Sequence, residues 1–114
     1  MGKVRIGMTL DVKKDGLEEY KRHHQNVWPE VEKALKEAGL SNLSIFVLGT
    51  RMFYYAEFNY EKDAESEFAD AMAAYSNKPR IKEWEELQHK YQSQLEGSSG
   101  DVWWQKCTEI YHLE

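Results

Sequence analysis

Residues 3–12, KVRIGMTLDV, carry apolar side chains at every second position. The apolar positions are Val4, Ile6, Met8, Leu10 and Val12, and the residues between them are polar, charged or small. Because successive side chains of a strand point to opposite faces, this alternation is typical of a strand with one buried face. The stretch therefore predicts a first β-strand over residues 3–12.

A helical pattern follows this strand. Asp15 and Glu18 have the spacing of a capping box, the apolar spacing continues over residues 15–38, and Gly39 is placed as a C-terminal cap. Pro29 interrupts the pattern because its nitrogen carries no hydrogen and its ring crowds the preceding turn. We expect a helical pattern over 15–38 with a kink or a restart near Trp28.

The remaining segments alternate between strand and helix patterns. Residues 43–48 and 52–58 are rich in β-forming and aromatic residues and predict a hairpin. Helical spacing over 64–75 and 79–91 predicts a helical region in two pieces, and 102–113 returns to residues typical of a strand. The predicted order is that of an α+β, ferredoxin-like βαββαβ protomer with an antiparallel sheet.

A ferredoxin-like sheet carries its helices on one face and leaves the other face uncovered. The aromatic residues available for that face are Phe46, Phe53, Tyr55, Trp103 and Tyr111. Burial against a second copy would cover them, so we expect a homodimer of the dimeric α+β barrel type.

Composition bounds the class of protein. The chain has 114 residues and a formal net charge of −5, which predicts a single domain over residues 1–114. The acidic balance argues against general nucleic-acid binding, which requires a concentrated positive surface. No apolar stretch approaches the length of a membrane span, no targeting signal is evident, and Cys107 is the single cysteine. We therefore expect a cytoplasmic protein with no membrane partner.

Tyr20 and His24 are the best candidates for chemistry. They are four residues apart and share one face of the first helix, and histidine exchanges protons near neutral pH. Trp84 lies on the apolar side of its helix, where an indole can support the apolar face of a sugar ring. The alternative for His24 is a histidine hydrogen-bonded at the edge of the core, and the alternative for Trp84 is core packing.

Other polar and aromatic positions give weaker signals. Trp103 and Trp104 adjoin on a predicted strand, so only one of them is expected in any given site. Glu83, Glu85 and Glu86 have the pattern of a solvated helix face, although Glu85 adjoins Trp84. Nucleophile triads, phosphate-binding loops and the ligand spacing of metal sites are absent from the sequence. The residues alone therefore indicate a small ligand-binding domain.

Residues 20–31, YKRHHQNVWPEV, resemble the L-rhamnose mutarotase family, whose first helix carries a Tyr, a His four residues later and then Trp-Pro-Glu. The similarity covers essentially the full length. It continues at Gly39, Asn42, Ser44–Phe46, Arg51–Phe53, Glu57, Pro79, Trp84 and Thr108–Leu113.

The resemblance implies a ferredoxin-like protomer that forms dimers and interconverts the α and β anomers of a free deoxyhexose, with L-rhamnose as the default sugar. It implies that His24 is the proton donor, that Tyr20 binds substrate, and that Trp84 is the first of two adjacent tryptophans that contact the sugar. A single histidine could serve in both directions of this acid-base reaction, so no metal or cofactor is expected.

Two positions depart from the family pattern. Leu43 replaces a substrate-contacting tyrosine and Glu85 replaces the second tryptophan. L-fucose or another sugar therefore remains an alternative substrate, since a site built for one hydroxyl pattern discriminates strongly between sugars. Glu85, Glu109 and Tyr111 remain alternatives for a second acid-base group.

Two other functions also remain open at this point. One is a dimeric ferredoxin-like module, either monooxygenase-like or binding a small ligand, without mutarotase activity. The other is a structural dimerisation module that binds no ligand. Neither would require the Tyr20 and His24 pair, so their activity would survive changes at those positions.

Overall fold

The computed structural model describes residues 2–98, 100 and 102–114. A short 3₁₀ turn at Lys14–Gly16 separates the first strand from the first helix. The remaining elements, in chain order, are β1 (Gly2–Val12), α1 (Leu17–Gln25), α2 (Pro29–Glu37), β2 (Leu40–Leu48), β3 (Arg51–Tyr60), α3 (Ala64–Ser76), α4 (Pro79–His89), β4 (Gln92–Ser93) and β5 (Gln105–Lys106).

The sheet is antiparallel with the strand order β2-β3-β1-β4, and β5 also pairs with β1. This is the ferredoxin-like order, so the predicted fold class is confirmed. The alternation predicted for β1 is also confirmed, since Ile6, Leu10 and Val12 are buried on the face that the helices cover. The β1–β3 register runs from Gly2 opposite Tyr60 to Asp11 opposite Arg51.

Two glycines make tight connections possible. Gly49 and Thr50 form the two-residue turn of the β2–β3 hairpin, and Gly49 has a φ of 62°. Gly39 has a φ of 98° and ends α2 one residue before β2 begins. Glycine adopts this left-handed conformation without the steric cost of a Cβ atom, so both predicted turns follow directly from the sequence.

The interruption that we expected near Trp28 is a restart, because the pattern over 15–38 forms two separate helices. Helix α1 ends at Gln25 and α2 begins at Pro29, with Asn26 outside helical geometry at φ −137° and ψ 60°. The predicted capping box at Asp15 and Glu18 is wrong. Because Asp15 lies inside the 3₁₀ turn, Gly16 becomes the N-cap of α1 and no side chain caps that helix.

The strand predicted over 102–113 is confined to Gln105–Lys106. The segment still follows the edge of β1, because the Cys107 amide donates to the Gly7 carbonyl at 2.8 Å and Arg5 pairs with Glu109 at 2.8 Å. Strand β4 pairs with β1 along part of that edge, and the sequence pattern did not predict β4. Residues 108–114 are exposed and do not form a strand.

The sheet face opposite the helices exposes large apolar side chains. Phe46 and Phe53 lie directly opposite each other on β2 and β3 and are 63% and 46% exposed, and Leu48 is 78% exposed. Tyr111 is exposed in the C-terminal segment. Trp103, which we placed on this face, instead contacts the helical side. Within the described residues, no helix has the length and apolar character needed to cross a bilayer.

Candidate active site

A cavity of about 900 Å³ lies between the inner face of the sheet and helices α1–α4. Most of its wall is apolar, and the apolar side chains include Met8, Val31, Leu35, Ile45, Phe68 and Met72. A smaller set of polar side chains also lines it, and this set includes Tyr20, His24, Ser76, Glu85, Gln88, His89 and Gln92. A largely apolar cavity with a few convergent polar groups is typical of a small-molecule site.

Tyr20 is a buried residue of α1 and lines this cavity. Its hydroxyl oxygen accepts a hydrogen bond from Gln92 Nε2 at 3.0 Å. Burial raises the pKa of Tyr20 to about 12, so the phenol keeps its proton at neutral pH. Since the Gln92 hydrogen bond occupies only a lone pair of the Tyr20 hydroxyl oxygen, the hydroxyl hydrogen can still be donated to another oxygen.

His24 lies one turn further along α1 and stacks on Tyr20. The ring centroids are 4.3 Å apart and the planes meet at 28°. His24 Nδ1 lies 2.9 Å from the Tyr20 carbonyl oxygen, and because a carbonyl only accepts, Nδ1 carries the hydrogen. Burial lowers the pKa of His24, which favours the neutral ring. Nε2 is therefore the nitrogen that can exchange a proton with a ligand.

Trp84 is buried on α4 and meets the His24 ring edge-on, with the centroids 5.5 Å apart. A second edge contact, at 5.2 Å, joins it to Trp28, whose ring lies 4.1 Å below the Arg80 guanidinium carbon. These contacts hold the indole beside the histidine. The structure thus brings the three predicted site residues, Tyr20, His24 and Trp84, together in one cavity.

Glu85 differs from its neighbours on α4. Glu83 and Glu86 are exposed, as predicted for a solvated face, but Glu85 is half-buried and lines the cavity. Ser76 Oγ donates to Glu85 Oε2 at 3.0 Å, and burial raises the pKa of this carboxyl. The assignment of Glu85 to a solvated face is therefore wrong. Its position next to Trp84 was no reliable signal, because adjacent residues of a helix do not share a face.

Gln88, one turn after Trp84, was missed as a site residue. It is 3% exposed, and within the described residues neither its amide nitrogen nor its amide oxygen has a hydrogen-bond partner. Burying an amide without partners is costly, so a polar side chain kept here is suited to a polar ligand. Its helical spacing from Trp84 places it on the same side of α4, which was the available signal.

Trp103 and Trp104 both line the cavity. Trp103 stacks on His89 with centroids 4.0 Å apart and planes at 9°, and Trp104 lies 5.3 Å from the Tyr54 ring. The prediction that only one of the two could face a given site is wrong. It assumed a strand, whereas residues 102–104 have no strand conformation and the alternation of faces does not apply.

The two other candidates for a second acid-base group lie elsewhere. Glu109 forms its ion pair with Arg5 on the outer side of β1, and Tyr111 is 75% exposed. Neither lines the cavity. Leu43, the other departure from the family pattern, does line it. In the described part of the chain, no group of three or more His, Cys, Asp or Glu side chains is arranged to hold a metal ion.

Comparison with known proteins decides the family. The family model described as L-rhamnose mutarotase matches residues 5–113. The chain belongs to the L-rhamnose mutarotase family. This membership confirms the predicted enzyme class, an aldose mutarotase. The alternative of a ferredoxin-like module without this activity is not better supported.

Three individual proteins show what this member of the L-rhamnose mutarotase family is similar to. A Dictyostelium discoideum protein named UPF0734 protein is 34% identical over 89% of this chain and 81% of its own length. An L-fucose mutarotase of Xanthomonas campestris is 32% identical over 99% of this chain and 90% of its own length. The crystal structure of an L-rhamnose mutarotase from Formosa agariphila superposes with a TM-score of 0.72 and 19% identity, covering 97% of this chain and 99% of that one. The last comparison supports the fold.

Proposed function

We propose that the cavity between the sheet and the helices is the active site, and that the enzyme there interconverts the α and β anomers of a free deoxyhexose. The observation that carries this proposal is the contact of Tyr20, His24 and Trp84 around one cavity. A histidine with a free nitrogen can transfer a proton, a protonated phenol can bond to a sugar oxygen, and an indole can pack against the sugar ring. The catalytic unit is the single domain of residues 1–114.

Each of these residues has a role that follows from its environment. His24 is the catalytic residue, since Nε2 is the ring nitrogen left to exchange a proton once Nδ1 bonds to the Tyr20 carbonyl. Tyr20 donates its hydroxyl hydrogen to a sugar oxygen, because Gln92 already occupies an acceptor position on the phenol. Trp84 packs against the apolar face of the sugar ring. No metal or cofactor is required for this chemistry.

The sugar is L-rhamnose in the first instance, with L-fucose as the principal alternative. Relatives carry the names L-rhamnose mutarotase and L-fucose mutarotase, and Leu43 and Glu85 line the cavity where the family pattern has two aromatic residues. Replacing a phenol and an indole with an alkyl group and a carboxyl changes which hydroxyl groups are held.

The enzyme acts as a homodimer in the cytoplasm. Phe46, Phe53 and Leu48 form an exposed apolar patch on the sheet face opposite the helices, and such patches are rarely left open in soluble proteins. A second copy, related by a two-fold axis, would cover this patch with the same patch. The single cysteine, Cys107, is free and exposed, which suits a reducing compartment.

The proposal is tested by exchange NMR, which measures the rate at which each anomer converts into the other at equilibrium. L-rhamnose, L-fucose and other aldoses are compared with and without enzyme. Enhanced exchange for at least one deoxyhexose is expected, and its loss in His24→Ala with an unchanged circular dichroism spectrum would support His24 as the catalytic residue. Exchange no faster than in buffer for every sugar would refute the proposed reaction.

A further inference from the structure

Ring opening of a sugar moves two protons. One leaves the anomeric hydroxyl and one arrives at the ring oxygen. His24 can handle one of them, because Nδ1 is held by the Tyr20 carbonyl and only Nε2 is left. The reaction proposed above therefore requires a second group that can accept or release a proton.

Glu85 is placed to supply that group. It lines the same cavity as His24 and directly follows Trp84, whose ring contacts the His24 ring. No other carboxylate among the described residues lines this cavity. Within the same part of the chain, Glu85 has no Lys or Arg partner and takes its one side-chain hydrogen bond from Ser76 Oγ. A carboxylate kept half-buried without a cation is a candidate for function.

We propose that Glu85 is the second proton-transfer residue of this enzyme, working with His24 on the sugar. The inference rests on the mutarotation proposed above. It also gives a chemical reason for a carboxylate at a position where the family pattern carries a tryptophan, since an indole can neither accept nor release a proton at neutral pH.

The step starts with Glu85 ionised and with His24 protonated on both ring nitrogens. Glu85 takes the proton of the anomeric hydroxyl, and the O1–H electron pair becomes the second bond of the C1 carbonyl. The C1–O5 bond breaks, its electron pair stays on the ring oxygen, and protonated His24 delivers the Nε2 proton to that oxygen. After rotation about C1–C2, the ring oxygen attacks the other face of C1 and gives its proton back to His24 Nε2. The former carbonyl oxygen takes the proton from Glu85, which restores both residues.

The environments of the two residues favour this exchange. Burial lowers the pKa of His24 and raises the pKa of Glu85, which makes the first a stronger acid and the second a stronger base. The other titratable groups around them are Tyr20, His23, Tyr54, Tyr75 and His89. The pKa of Tyr20 and that of Tyr75 are raised by burial, so these phenols stay protonated through the acidic and neutral range.

The experiment measures kcat/KM for anomer exchange against pH in the full-length enzyme. The wild-type kcat/KM should fall at low pH as Glu85 is protonated, which gives the acidic limb of the profile. It should also fall at high pH as His24 loses its proton, which gives the alkaline limb. Glu85→Gln keeps the size of the side chain and its bond from Ser76, and it should lower kcat/KM about 100-fold and remove the acidic limb. Glu86→Gln makes the same change at an exposed position of α4 and should keep the rate and both limbs.

A second variant leaves Glu85 unchanged and so tests its role even if Glu85→Gln fails to fold. The Ser76 hydrogen bond lowers the pKa of Glu85, so Ser76→Ala should retain exchange and move the acidic limb to higher pH. An unchanged limb in Ser76→Ala, or an acidic limb that persists in Glu85→Gln, would overturn the role of Glu85. A wild-type enzyme that exchanges no sugar would instead refute the mutarotation on which the role depends.

Discussion

His24 Nδ1 lies 2.9 Å from the main-chain carbonyl oxygen of Tyr20, one turn earlier in the same helix. The bond is made within α1 alone, so the helix itself sets which ring nitrogen carries hydrogen and which one is free. The stacking of the two rings at 4.3 Å fixes the plane of the imidazole. One short segment therefore provides both the proton-transfer atom and its orientation.

We predict that His24→Asn abolishes enhanced anomer exchange while the enzyme remains folded. The asparagine amide nitrogen can keep the bond to the Tyr20 carbonyl, whereas the atom equivalent to Nε2 is lost. A loss of about 100-fold or more in kcat/KM is expected from removing an acid-base group. Exchange NMR gives the rate and thermal unfolding gives the stability. Full activity in His24→Asn would show that Nε2 takes no part.

Stability should depend on the protonation of His24. Its pKa is lowered by burial, so in mildly acidic solution the unfolded chain binds more protons than the folded one. The stability that neutral His24 contributes is present above its unfolded pKa of about 6.5 and is lost as the pH falls through the folded pKa. The free energy of unfolding should therefore decrease more between neutral and mildly acidic pH in the wild type than in His24→Asn.

Urea unfolding at several pH values measures this difference. The pKa of Glu85 is raised by burial and that of His89 is lowered by burial, but both residues are present in the two proteins and their effects largely cancel in the comparison. Equal pH dependence in wild type and His24→Asn would contradict the lowered pKa.

Gln88→Met should stabilise the free enzyme and weaken its hold on the sugar. Within the described residues the Gln88 amide is buried without partners, and replacing it with an apolar side chain of similar size removes a desolvation cost of about 1 kcal/mol or more. The melting temperature should rise while KM for the preferred sugar also rises. Gln25→Met, at an exposed position of α1, is the matched control and should change neither quantity. A lower melting temperature in Gln88→Met would show that the amide is satisfied in the folded protein.

Leu43→Tyr should shift sugar preference towards L-rhamnose. The residue lines the cavity, and tyrosine is what the family pattern carries at this position. A hydroxyl that bonds to one sugar and not another changes the ratio of their kcat/KM values by about 10-fold or more. Leu43→Phe supplies the ring without the hydroxyl and separates the effect of size from that of hydrogen bonding. An unchanged ratio of L-rhamnose to L-fucose rates in Leu43→Tyr would place the determinant of preference elsewhere.

Phe46→Lys should dissociate the proposed dimer. Phe46 is 63% exposed and lies opposite Phe53 at the centre of the apolar patch, where two lysines brought together by a two-fold axis would repel each other. Sedimentation velocity should show a species near twice 13.5 kDa for the wild type and near 13.5 kDa for the variant. Ala73→Lys, on the exposed side of α3, should remain dimeric. A monomeric wild type at micromolar concentration would contradict a homodimer.

Local patterns were sufficient for much of the fold. The alternation of β1, the glycines at positions 39 and 49, and the prolines at the starts of α2 and α4 each specify backbone conformation within a few residues. The contact between Tyr20 and His24 was predictable for the same reason, since a spacing of four residues places two side chains on one helix face. Trp84 was a candidate from its place on its own helix, but no local rule connects it to His24, and only the resemblance assigned both residues to one sugar site.

The sequence by itself determined the strand and helix periods, the tight turns and the α1 pair, because these depend on interactions between near neighbours in the chain. Only the tertiary structure decided that Glu85 and Gln88 face the cavity, that Trp103 and Trp104 enter it together, and that Glu109 lies outside it. Those positions depend on how α4 and the C-terminal segment pack against β1 and α1, at separations of many residues. Burial in that packing also sets the pKa shifts of His24 and Glu85, because desolvation acts through the whole assembled cavity.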